Sequence, residues 1–221
     1  MHEWWAKTRQ ISVVVDNDSW ILPAAQKLVQ LCNDRGDNAK LCRSHDEIMD
    51  EGVAFYLGCV KITPPHILNK NHRNLVVHAS DLPKGRGMSP WTWQILEGAQ
   101  EIPICLLEAE KEVDSGAVVY RDFMPLKGTE LIDDLRSLIS EKTVELCLNF
   151  LKSEQCPMGE EQIGEPSFYK RRGPKDSELD THKTIAEQFA LLRVVDNENY
   201  PAFFEMNDQK YIIKIYKDER D

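Results

Sequence analysis

The sequence lacks several features that would settle its class at once. It has no excess of base: 27 Lys and Arg stand against 37 Asp and Glu, a formal charge of −10. Neither a large nucleic-acid surface nor an anionic membrane attracts a net acid, so neither partner is expected. No apolar run approaches the roughly 20 residues of a membrane-spanning helix; Val13-Val14-Val15 is typical of the runs present. The start, Met1-His2-Glu3-Trp4-Trp5, has no basic residues ahead of an apolar stretch, as a secretion signal would. A cytoplasmic protein is therefore expected. The cysteines (Cys32, Cys42, Cys59, Cys105, Cys147 and Cys156) form no C-x-x-C pair, and none stands beside a histidine at zinc-ligand spacing. No metal site is expected, and free buried thiols fit this compartment better than disulfides. There is no G-x-G-x-x-G dinucleotide fingerprint, internal repeat or low-complexity tract.

What is present is the composition of a folded domain, 42% hydrophobic and 29% charged. Ile11 to Val15 reads as a buried parallel strand. Asp16-Asn17-Asp18-Ser19 offers turn and cap chemistry, and a helix follows with Ile21, Leu22, Ala25, Leu28, Val29 and Leu31 on its period, stopping near Gly36. The next expected elements are a short helix at 46–49, a strand at 53–57, a helix from Pro64-Pro65 to Leu68 and a strand at 74–78. A loop with Pro83, Gly85, Gly87 and Pro90 leads to a helix at 91–97, a strand at 102–107, and a turn at Ser115-Gly116 before Ala117 to Tyr120. Helical periodicity returns from about Thr129 to Leu151. This alternation predicts an α/β, Rossmann-like fold: a mainly parallel sheet with helices on both faces. After Leu151 the composition shifts. Residues 153–181 are rich in Gly, Pro, Glu, Lys and Ser and read as a long loop. Thr184 to Val195 reads as an amphipathic helix, and Ala202–Met206, an Asn207-Asp208 turn and Tyr211–Tyr216 as a hairpin. The expected division is a catalytic domain over 1–152 and, over 153–221, a loop, small helix and β-hairpin packed upon it.

The chemistry concentrates in His78-Ala79-Ser80-Asp81-Leu82-Pro83-Lys84-Gly85-Arg86-Gly87-Met88-Ser89-Pro90. A histidine at the carboxyl end of a buried strand, before a Gly-rich loop, stands where ligands bind in open α/β sheets. Glu112-Val113-Asp114-Ser115-Gly116 then places a carboxylate in a turn after the next strand. Alone, His78 reads equally as a plain strand-end histidine, and Asp114 reads more readily as a turn former. Together they resemble the 10-formyltetrahydrofolate-dependent formyltransferases. That family's pattern has a strand ending in Asn-x-His, then x-Ser-x-Leu-Pro, a basic residue and Arg-Gly, with an Asp-x-Gly loop roughly thirty residues on. His78, Ser80, Leu82, Pro83, Arg86, Gly87, Asp114 and Gly116 match in order, over roughly residues 50–150.

The resemblance implies His78 and Asp114 as catalytic residues, and 10-formyltetrahydrofolate as formyl donor. It places folate contacts at Cys59, Val60, Lys61, Ile62, Leu82 and Glu110. One residue departs from the pattern: the family's asparagine is Val76 here, and Asn74 is displaced from that place by about 6.6 Å along the strand. The residues Gly164 to Asp180, Leu192-Arg193 and Tyr200-Pro201-Ala202-Phe203 resemble the tail of the sugar-nucleotide N-formyltransferases, and the run from Ser80 to Trp93 most resembles the pseudaminic-acid type. This implies a UDP-linked 4-amino-4,6-dideoxy sugar as acceptor, touched by Ser19, Trp20, Lys84, Arg86, Trp91, Tyr169 and Arg171, in a monomer or homodimer. The tRNA-directed relatives carry an additional RNA-binding domain, for which this chain has neither the room nor the charge. Glycinamide ribonucleotide or a carrier-bound amino acid remains open as acceptor. With Val76 in mind, so does a non-catalytic folate- or nucleotide-binding protein. Lys170, Arg171 and Arg172 also read as a solvated charge run, and Trp20 as a packed core residue.

Overall fold

The computed structural model describes residues 4–218. Met1–Glu3, part of the start read above, and Glu219–Asp221, the end of the expected extension, lie outside the described residues. The strands of the central sheet are β1 (Gln10–Val14), β2 (Asn38–Cys42), β3 (Val53–Tyr56) and β4 (Arg73–His78). After a two-residue strand β5 (Arg86–Gly87) come β6 (Glu101–Glu108) and β7 (Val118–Pro125). The order is β2-β1-β3-β4-β6-β7. The first four strands are parallel, and β6 and β7 run antiparallel. The expected mainly parallel sheet is therefore present, with an antiparallel pair at one side. No helix separates β6 from β7, so nothing forces the right-handed crossover that parallel strands need.

The helices are α1 (Leu22–Asp34), α2 (Pro65–Leu68), α3 (Pro90–Leu96) and α4 (Ile132–Lys152). They cover the two faces unequally. Ile11, Val13, Phe55, Leu75, Ile104 and Leu106 point to one face, where Leu28 of α1, Ile95 of α3 and Leu135, Ile139 and Phe150 of α4 close a continuous core. The alternate residues Val14, Ala54 and Tyr56 form a smaller cluster with Cys42, Ile48 and Ile67, with Leu68, Val76 and Ala109 packed against it. Alternation along each strand fixes this division. Phe150 and Phe55, both wholly buried, meet edge to face at 6.1 Å. Full burial of one such ring stabilises the fold by about 1.5–3 kcal/mol. Among the described residues no helix is long and apolar enough to cross a membrane. All six cysteines are unpaired, and four of them are buried.

β2 was not expected. It is an edge strand with Asn38 and Lys40 exposed and only Ala39 and Cys42 buried, so it lacks the β-branched run that marks the interior strands. The Asn33 side chain bonds both the N–H and the C=O of Ala39, tying the end of α1 to it. At the start of α1, Ser19 does not cap the helix: the N-cap is Ile21, with no side-chain bond.

Beyond α4 the chain adds β8 (Phe168–Tyr169), α5 (Phe189–Val194), β9 (Ala202–Met206) and β10 (Gln209–Ile213). The single helix expected over 184–195 is instead a 3-10 turn at Ala186–Gln188 followed by the six residues of α5. Gln188 turns its side-chain amide back onto the Asp180, Lys183 and Thr184 carbonyls and leaves helical geometry. α5 is anchored to the body: Val194 joins the main core, and the Arg193 guanidinium pairs with Glu130 at 2.8 Å, both side chains buried. The hairpin turns through Asn207 and Asp208, both at positive φ as a two-residue hairpin loop demands. Only Ala202 and Phe203 of it are buried; β10 is exposed throughout. The second strand thus spans 209–213 rather than 211–216, and it does not pack on the body.

Candidate active site

Interior strands fix the first group. His78 closes β4, hydrogen-bonded between β3 and β6, and its side chain is 8% exposed. Its Nε2 lies 2.8 Å from the carbonyl oxygen of Gly85. A carbonyl only accepts, so this contact assigns a proton to Nε2. Nδ1 faces Oδ1 of Asp114 at 3.5 Å, across a gap longer than a hydrogen bond.

The second group comes from a loop. Because β6 runs antiparallel to β4, its last residue, Glu108, stands opposite Leu75, and the nine-residue loop 109–117 carries Asp114 against His78. Asp114 adopts a left-handed backbone (φ +55), uncommon without glycine. Its Oδ2 accepts the Gly87 N–H at 2.9 Å. Gly87 has φ +98, and a Cβ there would lie 2.5 Å from the Tyr169 carbonyl oxygen, so no other residue fits. The imidazole is therefore held by the Gly85 carbonyl. Asp114 keeps one oxygen free.

Both groups line a cleft of about 1260 Å³. Val76, on the same face of β4 as His78, also lines it. Asn74 cannot reach in: its amide oxygen accepts the Tyr56 hydroxyl at 3.1 Å, and its nitrogen donates to the Leu68 carbonyl at 2.7 Å. One wall is the loop with Cys59, Val60, Lys61 and Ile62. Asp16 clamps it by accepting the N–H groups of Val60 and Lys61. Burial alone would raise the Asp16 pKa, but these bonds and the Asn17 amide outweigh it and hold the carboxyl below its usual range. Burial, aided by Asp16, pushes the Cys59 thiol up to about 12, away from the reactive thiolate form. Val60 and Ile62 expose apolar surface beside this loop. Glu110 lines the same cleft, as do Ser19, Trp20, Trp91 and Arg171. Trp20 and Trp91 meet edge to face at 6.3 Å. Asp18, the acidic neighbour of Ser19, pairs with Arg43 at 2.7 Å.

Four expected site residues are not brought to the cleft. Leu82 is buried with Cys105 and Leu107 under the sheet. Lys84 is exposed and does not line the cleft. Arg86 is buried and bonded to the Gln162 amide oxygen at 2.7 Å, with Glu112 at 3.7 Å. Tyr169 stacks on Trp93 and donates to Glu97 at 2.6 Å; burial and that carboxylate push its phenol up to about 12. Arg136 was not expected, yet it lines the cleft, as does Arg172 of the basic run. The first belongs to α4, whose helical pattern marks its apolar face and gives a polar position no signal. The second pairs with the carbonyls of Val194 and Asp176.

Residues 32–151 match the Formyl transferase family. The chain belongs to that family. Solved structures share its fold. A methionyl-tRNA formyltransferase from Clostridium thermocellum is 21% identical, with a TM-score of 0.80 over 96% of this chain and 94% of that one. A sugar N-formyltransferase from Shewanella is 13% identical, with a TM-score of 0.69 over 97% and 100%. HypX from Aquifex aeolicus in complex with tetrahydrofolic acid is 15% identical, with a TM-score of 0.73 over 95% of this chain and 38% of that chain. In this formyltransferase, His78 ends β4 and Asp114 stands on the 109–117 loop.

Proposed function

We propose that this formyltransferase moves the formyl group of 10-formyltetrahydrofolate to the amino group of a UDP-linked 4-amino-4,6-dideoxy sugar. The observation that carries the reading is the Nδ1–Oδ1 gap of 3.5 Å between His78 and Asp114 on the wall of a cleft large enough for two substrates. The acceptor amine attacks the formyl carbon, and negative charge develops on the formyl oxygen. With Nε2–H given to the Gly85 carbonyl, a second proton on Nδ1 of His78, making the ring an imidazolium, would stabilise that oxygen. The free Oδ1 of Asp114 takes the proton the amine loses, and the departing N10 of the folate regains one, so the proton count closes. Val76 offers no donor here, and a backbone N–H or water would fill the place of the family's asparagine amide. The apolar surface of Val60 and Ile62, with the Glu110 carboxylate, suits a flat heterocycle bearing N–H donors, as the pterin is. On the acceptor side, the Arg171 guanidinium suits a diphosphate.

The test is a comparison of acceptors with 10-formyltetrahydrofolate, read as the mass gain of one formyl group. The UDP-4-amino sugar should be formylated fastest. Preference for glycinamide ribonucleotide, a carrier-bound amino acid or aminoacyl-tRNA would replace the acceptor. Donor binding without transfer to any amine would show that Val76 has silenced the site.

A further inference from the structure

The segment after α4 does more than connect. Residues 159–169 lie over the two turns that hold the histidine and the carboxylate. Glu160 exchanges both backbone hydrogen bonds with Val118, at the base of the 109–117 loop. Ser167 accepts the Gly85 N–H on its hydroxyl and the Arg86 N–H on its carbonyl, each at 2.9 Å. β8 then pairs with β5. In this strap Glu161 and the residues from Ile163 to Phe168 are all exposed; Gln162 alone among them turns inward. Its Nε2 donates to the carbonyls of Asp114 and Gly116, both at 2.8 Å, and its Oε1 accepts from Arg86. Every polar position of the amide is occupied. The two carbonyls it grips belong to the left-handed Asp114 and to Gly116, two residues on.

We propose that Gln162 is a positioning residue for the catalytic carboxylate. It fixes the backbone of the 109–117 loop so that Asp114 Oδ1 faces His78, while Arg86 holds the amide in the one orientation that presents both N–H groups to the loop. Side chains that touch no substrate set geometry in this way when their own polar groups are saturated. The inference rests on the formyl-transfer reading for its kinetic arm only.

Gln162→Glu separates positioning from anchoring. A carboxylate keeps the shape and gains an ion pair with Arg86, but it presents oxygen to two carbonyl oxygens and releases the loop. Thermal stability should be held or raised, while kcat falls by roughly 10- to 100-fold, the scale of a misplacement of about 1 Å, with both Michaelis constants little changed. Gln162→Ala, on an otherwise exposed segment, should fold and show the same kcat loss. In histidine labelled with nitrogen-15, the His78 ring resonances, assigned by their absence in His78→Asn, should shift in both variants while exposed His66 stays put. Wild-type kcat in Gln162→Glu would overturn the proposal, as would unmoved His78 resonances. If the wild-type protein formylates no acceptor, the functional reading falls, and the resonances still decide this one.

Discussion

His78 and Asp114 face each other across 3.5 Å but are held by different kinds of structure. His78 ends an interior strand, with Phe55, Leu75 and Phe150 wholly buried beneath the sheet. Asp114 rides a nine-residue loop, fixed by hydrogen bonds to Gly87 and Gln162 and not by packing. The strand side should be costly to break and should take the fold with it. The loop side should fail in activity while the fold survives. The hairpin, with β10 exposed throughout, belongs to neither.

Breaking the strand side gives the largest effect. Phe150→Ala removes the ring that meets Phe55 and Trp5 edge to face and should cost about 3–5 kcal/mol in urea unfolding. Breaking the loop side comes next. Asp114→Asn should lower turnover by at least about 10²-fold with an unchanged thermal midpoint; parallel loss of both would mean that the loop is part of the core after all.

Acid should find a third kind of anchor. Burial alone would raise the Asp196 pKa, but the Asn199 and Glu198 N–H groups, the Asn199 amide and the Arg136 guanidinium outweigh it and hold the carboxyl well below its usual range. Glu130, bonded by Lys127 and Gly128 and paired with Arg193, is depressed in the same way. A carboxylate depressed in the folded state contributes stability that is present above its unfolded pKa of about 4 and is lost as pH falls below it. The urea midpoint should therefore drop below about pH 4, and less steeply in Asp196→Asn. Arg171→Ala, at the cleft but outside the dyad, should raise the acceptor Michaelis constant and leave that for formylfolate alone. Equal weakening of both would indicate a general distortion. Ile212→Ala, on the exposed hairpin strand, should change stability by less than about 0.5 kcal/mol.

The same contrast governs what could be read from the sequence. Interior strands announce themselves: Ile11-Ser12-Val13-Val14-Val15, apolar but for Ser12, and Val53-Ala54-Phe55-Tyr56-Leu57 are buried on both faces, so burial leaves a nearly continuous apolar run. β2, paired on one side, leaves none. His78 and Asp114 were legible because the Gly-rich turn and the Asp-x-Gly loop need particular residues at particular backbone angles, and those residues leave a pattern. Arg86 was legible as a residue but not in its role: a guanidinium in a loop reads as a ligand contact, and only the fold shows it spent on Gln162. Gln162 left no signal, because a single amide among exposed polar residues has neither period nor spacing. The break in the helix expected at 184–195 was hidden likewise, since Gln188 stops it by local side-chain bonds that compete with helical ones.

The measurement that bears most directly on the account is single-turnover formyl transfer from 10-formyltetrahydrofolate to the UDP-4-amino-4,6-dideoxy sugar, in the wild-type protein and in His78→Asn. The account predicts formylated sugar from the wild type and a rate at least about 10²-fold lower in the variant, with both proteins folded. Equal rates in the two would contradict it, because the chemistry would then run without the one side chain that the sheet holds in place for it.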